Sequence, residues 1–210
     1  AVLAAYSAGI QSPGDIINVN GTCEITMVCL QRCIPSPAYN VRAHVSRARW
    51  LTLHVMNAGG IAYDWFKKTF CADLSDEDFF SRFIGDAIDE WLAKTNEVVY
   101  TPYLMGSRYS LEPLTARLEG LTAESTRPQI LASVIKGLCD YQKKHLQQVS
   151  AFVNLDHIIH VTGGAVNEAL IKAKQKWMWP AEYRLVDQSS MRGAALLGFD
   201  YARARNERSF

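Results

Sequence analysis

The run from Ile16 to Leu30, apolar and polar by turns and broken at Asn20-Gly21, limits the folds open to this chain more than any other segment. Such alternation marks strands, and Asn-Gly is the strongest dipeptide signal for a tight hairpin, because both residues tolerate positive φ. Ahead of it, Ala1 to Ile10 is small and apolar, fitting a helix that ends at Gly9, and Ser12-Pro13-Gly14-Asp15 is a turn. Behind it, helical and extended patterns interleave. His44 to Met56 predicts a strand, Ile61 to Phe70 a helix, and Leu74 to Lys94 a helix or two behind Ser75 with an acidic first turn. Val98 to Leu104 predicts a short strand that leads into a loop, Met105 to Pro113. The best-defined helix follows: Ser125 or Thr126 can cap it, Pro128 suits its first turn, and Ile130, Leu131, Val134, Ile135, Leu138, Tyr141 and Leu146 recur at helical spacing. Ile158 to Thr162 reads as a strand, Val166 to Trp177 as a helix, Tyr183 to Val186 as a strand and Met191 to Ala202 as a last helix, with Arg203 to Phe210 a frayed tail. Without a linker or repeat, the 210 residues make one α/β domain.

Hydrophobic residues make up 49% and charged residues 20%, the balance of a chain with a real core. A net charge of +1 argues against a general grip on nucleic acid or an anionic membrane. No apolar run approaches the length of a bilayer span, and the apolar start lacks the basic flank of a signal peptide. Cys23, Cys29, Cys33, Cys71 and Cys139 are an odd, scattered set, which reads as reduced thiols of a cytoplasmic protein. They lack the paired spacing of a zinc site, so no resident metal is expected. The start at Ala1, within an apolar helical pattern, suggests a piece of a longer protein.

Three places join a strand, a glycine turn and a following element. Asn20-Gly21-Thr22 offers unhindered backbone N–H groups and a hydroxyl, which suit phosphate oxygens. Asn57-Ala58-Gly59-Gly60 leads into a helix carrying Asp64 and Trp65. Thr162-Gly163-Gly164-Ala165 leads from strand to helix, where free N–H groups and missing side chains admit a phosphate or a flat ring. None is a Rossmann fingerprint or a Walker loop. Each turn alone is compatible with ordinary helix–strand packing, and the three together reach only an α/β domain open to a nucleotide.

The third turn, followed about thirty residues later by Met191-Arg192-Gly193-Ala194-Ala195-Leu196-Leu197-Gly198, resembles the end of the FGGY carbohydrate kinases, where a "GGGA" turn receives adenosine and an "ALGAALLA" helix packs beside it. Tyr103 to Arg108 looks like the family's "PYLxGER" loop, and Ala116 to Leu121 with Gln129 to Ile135 is similar to its second signature. Pro13-Gly14-Asp15 with Asn20-Gly21-Thr22 resembles "PGD…LGTS", and Asn57 to Trp65 resembles "AGxxxxW". The matches keep the family's order from Ala1 to about Gly198.

The resemblance implies a ribonuclease H-like, actin-type ATPase domain, a mixed β-sheet flanked by helices. Residues 1–210 would be the C-terminal, nucleotide-binding half of a sugar kinase, with the sugar held mainly by an N-terminal domain outside this chain. Gly21 and Thr22 would contact phosphates, Gly60 and Asp64 border the nucleotide, and Gly163, Gly164, Ala165 and Glu168 line the adenosine pocket, with Asn167 beside them. The cofactor would be ATP or ADP with Mg²⁺, and the acceptor a sugar or polyol among pentuloses, methylpentuloses, hexuloses and glycerol. The oligomeric state stays open and leaves room for a homodimer. The family's catalytic Asp would stand directly before Ala1, so the chain alone would not phosphorylate sugar. Asp15, in its turn, reads as a cap rather than a substitute base. Three positions depart from the pattern: Lys136 where an acid is usual, Ser107 where Glu precedes Arg108, and Cys23 where the hairpin usually has Ser. The alternative is a nucleotide-binding or interaction module on the same actin-like ATPase scaffold with no transfer activity.

Outside these motifs the expectations are structural. Arg108 reads as a surface ion-pair partner, His157 and His160 as facing opposite sides of a strand, and Trp177 and Trp179 as packing residues. Lys172, Lys174 and Lys176 read as one solvated helix face.

Overall fold

The computed structural model describes residues 1–46 and 48–206. A short helix, α1 (Val2–Ser7), ends at Ala8, and the chain reverses through Gly9 at φ +73°. The hairpin follows as β1 (Ile16–Asn20) and β2 (Glu24–Leu30), antiparallel, with Asn20 opposite Glu24. Then come β3 (Asn40–Ala43), β4 (Trp50–Met56) and α2 (Gly60–Phe70). Helix α3 (Asp76–Asp78) passes through a π-helical turn, Phe79–Phe83, into α4 (Ile84–Trp91). The flap β5 (Val99–Thr101) and β6 (Arg117–Glu119) precedes the long α5 (Arg127–Ser150). The chain closes with β7 (Ile158–Thr162), α6 (Glu168–Ala173) extended by a second π turn (Lys174–Met178), β8 (Glu182–Leu185) and α7 (Ser189–Asn206).

Six strands form a mixed sheet in the order β3-β4-β2-β1-β7-β8. The pairs β1–β2, β2–β4 and β3–β4 are antiparallel, whereas β7 joins β1, and β8 joins β7, in parallel. Parallel neighbours need a crossover, and α6 supplies it between β7 and β8. Both faces of the sheet are covered. Successive residues of β1 go to opposite sides: Ile17 joins Ala4, Ala5, Met27, Cys29 and Leu51 under α1, while Ile16 joins the larger core with Val28, Phe66, Leu131 and Val161. That larger core contains most of the buried side chains of α2, α4, α5 and α6.

Helix α5 starts where capping chemistry puts it: Thr126 Oγ1 accepts from the Gln129 N–H, and Pro128 occupies the first turn, where no N–H is needed. Ser75 caps α3 in the same way, through the Asp78 N–H. A strand start and the C-terminal tail differ from the sequence reading. The strand expected from His44 begins at Trp50, because the His44 N–H donates to the Arg49 carbonyl at 3.0 Å and closes the β3–β4 connection. The tail expected to fray from Arg203 continues α7 to Asn206, and residues 207–210 lie outside the described ones. All five cysteines are free thiols, and among the described residues no helix is long and apolar enough to cross a membrane.

Helix α7 lies against α1 at Gly193, where a Cβ would stand 2.0 Å from the Leu3 carbonyl oxygen. The Tyr6 hydroxyl donates to Asp200, and Ser7 Oγ donates to the Ser189 carbonyl at 2.7 Å, so the two helices are tied on both sides of that contact. Gly193→Ala should therefore push α7 off α1 and cost about 1–3 kcal/mol. Thermal melting beside Gly198→Ala, whose Cβ meets nothing within 4 Å, checks it. Equal melting of the two variants would contradict the close contact.

Candidate functional site

The first and third glycine turns meet because β1 and β7 are parallel neighbours, so both chains leave the sheet at the same end. The Asn20 carbonyl accepts the Ala165 N–H at 3.3 Å and lies only 1.9 Å from where a Gly163 Cβ would be. Gly163 has φ +114°, a conformation left to glycine. The second turn joins them through α2. Its first amides, from Gly60 at 2.8 Å and Ile61 at 3.4 Å, donate to the carbonyls of Gly21 and Thr22. The start of α2 thus anchors the hairpin, whose Gly21 N–H is itself taken by the Cys23 carbonyl at 3.0 Å. Among the described residues the N–H groups of Thr22 and Gly164 find no acceptor, so both remain available to a ligand.

Between these turns opens a cleft of about 550 Å³. Gly21, Thr22, Gly60, Asp64, Gly164 and Ala165, all expected site residues, line it together, with Asn167 beside them. The other two expected residues fall elsewhere. Gly163 turns to an adjoining depression with Val19, Thr162 and Ser189. Glu168 is exposed in the first turn of α6 and is not among the residues lining the cleft. Its place is taken by Asn167, which the helix orients: Oδ1 caps α6 by accepting the Leu170 N–H at 2.9 Å.

Five lining residues had no sequence signal: Tyr63, Phe80, Ile84, Val166 and Leu170. Phe80 and Ile84 reach the cleft from the π turn and the start of α4, so one wall is apolar while the floor is backbone. A flat ring fits against such a wall, and an anionic chain fits the open N–H groups. Tyr63 stays a neutral phenol at any ordinary pH, because burial and then the negative charge of Glu24 push its ionisation far up.

Several neighbouring residues take up structural work. Asp15 Oδ2 accepts from the N–H groups of Gln11 and Ser12 at 2.8 and 2.7 Å, the capping role its turn suggested. Cys23 Sγ donates to the Asn57 carbonyl at 3.2 Å, outside the cleft lining. Among the described residues Arg108 makes no ion pair; its Nε donates to Asn57 Oδ1 at 2.9 Å, fastening the second turn to the Met105–Pro113 loop, whose Met105 carbonyl accepts from Asn57 Nδ2 at 3.1 Å. Trp177 and Trp179 pack against the larger core. The basic run is not one solvated face. Lys172 is exposed and pairs with Asp89, but Lys174 is buried against Glu24 at 2.6 Å.

No protein-family model matches the chain. It is 23% identical over 158 residues to the xylulose kinase of Bacillus subtilis strain 168, across 73% of this chain and 31% of that protein. The crystal structure of xylulose kinase from Rhodospirillum rubrum superposes with a TM-score of 0.81 at 18% identity, over 94% of this chain and 41% of that one. The Plasmodium falciparum glycerol kinase solved with ADP superposes at 0.77 and 14% identity, over 93% and 40%.

By sequence the chain is similar to xylulose kinases, and by fold to carbohydrate kinases. Its fold is the actin-like ATPase fold of those enzymes, with the mixed sheet expected of it. The chain spans about a third to two fifths of the length of the relatives it matches. Its departures from the family pattern sit in consistent places. Lys136 lies on the exposed side of α5, where it pairs with Asp140 at 2.7 Å, and Ser107 Oγ caps the loop by accepting the Tyr109 N–H at 3.1 Å.

Proposed function

We propose that this chain is the C-terminal, nucleotide-binding half of an ATP-dependent sugar kinase, which transfers the ATP γ-phosphate to a hydroxyl of a sugar or polyol. The observation that carries it is the convergence of three glycine turns on one cleft, with an apolar wall on one side and unengaged N–H groups on the other. The ADP in the superposable glycerol kinase supports the same ligand class here.

Phosphoryl transfer asks little covalent chemistry of a protein; it asks for positioning and charge neutralisation. In this reading the nucleotide arrives as its Mg²⁺ complex. The N–H groups of Thr22 and Gly164 hold phosphate oxygens, the Thr22 hydroxyl adds a donor, and Phe80, Ile84 and Leu170 pack against the base. Asp64, an exposed carboxylate at the cleft, would help to hold the hydrated Mg²⁺, which would neutralise phosphate charge. The sugar and the carboxylate that takes its hydroxyl proton are supplied from outside these residues, the carboxylate being the Asp that the family places immediately ahead of Ala1. A protein with free thiols and this chemistry belongs in the cytoplasm.

Calorimetric titration of Mg-ATP and Mg-ADP into the chain tests the reading. Saturable binding of one nucleotide per chain is expected, with no sugar-dependent ADP release. Release of ADP on adding a pentulose or glycerol would overturn the placement of the base, because a general base is worth about a hundred- to ten-thousandfold in rate. A folded chain that binds neither nucleotide would favour the non-catalytic module.

A further inference from the structure

A buried charge pair lies beneath the two turns that face the cleft. Lys174 opens the π turn that continues α6, and Glu24 opens β2 just after the hairpin tip. Their side chains are 4% and 3% exposed, and Lys174 Nζ stands 2.6 Å from Glu24 Oε1. The same carboxylate oxygen accepts from Asn18 Nδ2 at 2.9 Å, and Asn18 Oδ1 accepts from Asn20 Nδ2 at 2.7 Å. Asn18 Nδ2 also donates to Thr26 Oγ1 at 2.9 Å, so its position is fixed from two sides. The Asn20 backbone carbonyl then takes the Ala165 N–H at 3.3 Å. An unbroken line of polar contacts runs from α6, through the ion pair and β1, to the turn that starts α6.

Stability alone does not account for this arrangement. Withdrawing two charges from water costs as much as their attraction commonly returns, and an apolar pair of similar volume fills such a space as well or better. An ion pair with hydrogen-bonded neighbours adds direction, because it is satisfied in one geometry only. Here that geometry sets where Asn20 lies, and Asn20 joins the hairpin to the third turn.

We propose that Glu24 and Lys174 are positioning residues for the nucleotide, their ion pair holding the hairpin and the Gly163–Ala165 turn at the spacing at which both sets of N–H groups meet one phosphate chain. This rests on the nucleotide reading above. Neither residue lines the cleft, so they act through Asn18 and Asn20.

The test compares wild type, Lys174→Met, the double variant Glu24→Met with Lys174→Met, and Asn20→Ala, by thermal melting, amide hydrogen exchange without ligand, and Mg-ATP titration. Lys174→Met leaves Glu24 buried and unpaired and should melt well below wild type. The double variant should recover most of the melting temperature yet bind Mg-ATP at least tenfold more weakly, with faster exchange at Thr22, Gly164 and Ala165. Asn20→Ala leaves the ion pair whole and removes only the last side-chain link; it should weaken binding in the same direction and serves as the independent arm if the double variant does not fold. A double variant, or Asn20→Ala, that binds and exchanges like wild type overturns the proposal while the nucleotide reading stands. A wild-type chain that binds no Mg-ATP overturns both.

Discussion

Gly164→Asp is expected to abolish Mg-ATP binding in a chain that still folds, whereas Gly163→Ala should damage the fold itself. The two neighbours share a turn but not a constraint. A Cβ on Gly164 meets nothing within 4 Å, so the backbone tolerates a side chain there. The side chain would enter the cleft beside Thr22 and Gly21, where the phosphates are proposed to lie. A carboxylate placed against phosphate oxygens costs several kcal/mol, and about 3 kcal/mol already exceeds a hundredfold in affinity. Gly163 differs on both counts. Its φ of +114° is one that L side chains rarely adopt, and its Cβ would stand 1.9 Å from the Asn20 carbonyl oxygen. Backbone strain of about 1–3 kcal/mol and a displaced β1–β7 junction act together. For a chain of this size that lowers the melting temperature by roughly 5–10 °C. Melting curves and calorimetry on both variants decide it. A folded Gly164→Asp that binds like wild type would remove the nucleotide from this turn.

That contrast was only half legible in the sequence. Gly163-Gly164 stood out as a turn between strand and helix, but nothing in the chain said which glycine carried the strained φ and which faced open space. Local chemistry carried the elements with strong signals: the Thr126 cap with Pro128 behind it, Ser75 ahead of an acidic turn, and the Asn-Gly break of the hairpin all act within a few residues. The edge strand β3 and the flap strand β6 passed unnoticed because most of their residues are exposed and they carry no apolar alternation. The cleft's apolar wall was out of reach for another reason. Phe80 and Ile84 come from a helix that no motif marks, and packing alone turns them toward the glycines.

Lys174 is the more instructive miss. Lysines at 172, 174 and 176 look like a basic face, but residues two apart on a helix do not face each other. With about 100° per residue, the middle lysine points almost opposite to the other two. That spacing already spoke against one solvated stripe. What it could not give was the partner, since Glu24 lies 150 residues earlier and is brought close only by the sheet. The buried polar row that includes this pair follows from strand alternation: Asn18, Asn20, Glu24, Thr26, Thr52 and His54 all project to the side of the sheet that α5 covers, where Gln142 and His145 meet them.

The far end of that row should make the protein acid-labile between about pH 6.5 and 5. His145 is fully buried, and its imidazole stacks on His54 with ring centroids 4.7 Å apart. His145 Nε2 lies 3.0 Å from Thr52 Oγ1, while Nδ1 has no partner among the described residues. Burial first, and the neighbouring His54 second, hold the His145 pKa well below 6.5. His54 is lowered too, again mainly by burial, against the opposing pull of its hydrogen bond to Gln142 and the charge of Glu24. The folded protein therefore keeps both rings neutral at a pH where the unfolded chain protonates them. Wherever the unfolded state binds more protons, stability falls with falling pH. The stabilisation is complete above pH 6.5 and is lost progressively down to the folded pKa. His145, the more strongly shifted of the two, carries most of that loss as pH drops below 6.5. Ordinary carboxylates, with pKa values near 4, contribute mainly below that window. His145→Gln keeps a hydrogen-bonding group near Thr52 and cannot titrate, and Thr52 Oγ1 retains the Val28 N–H at 2.9 Å. Melting at pH 7.5 and pH 5 should show a flatter acid arm for His145→Gln than for wild type. Parallel arms would mean that His145 takes up its proton in the folded state, and would overturn this reading.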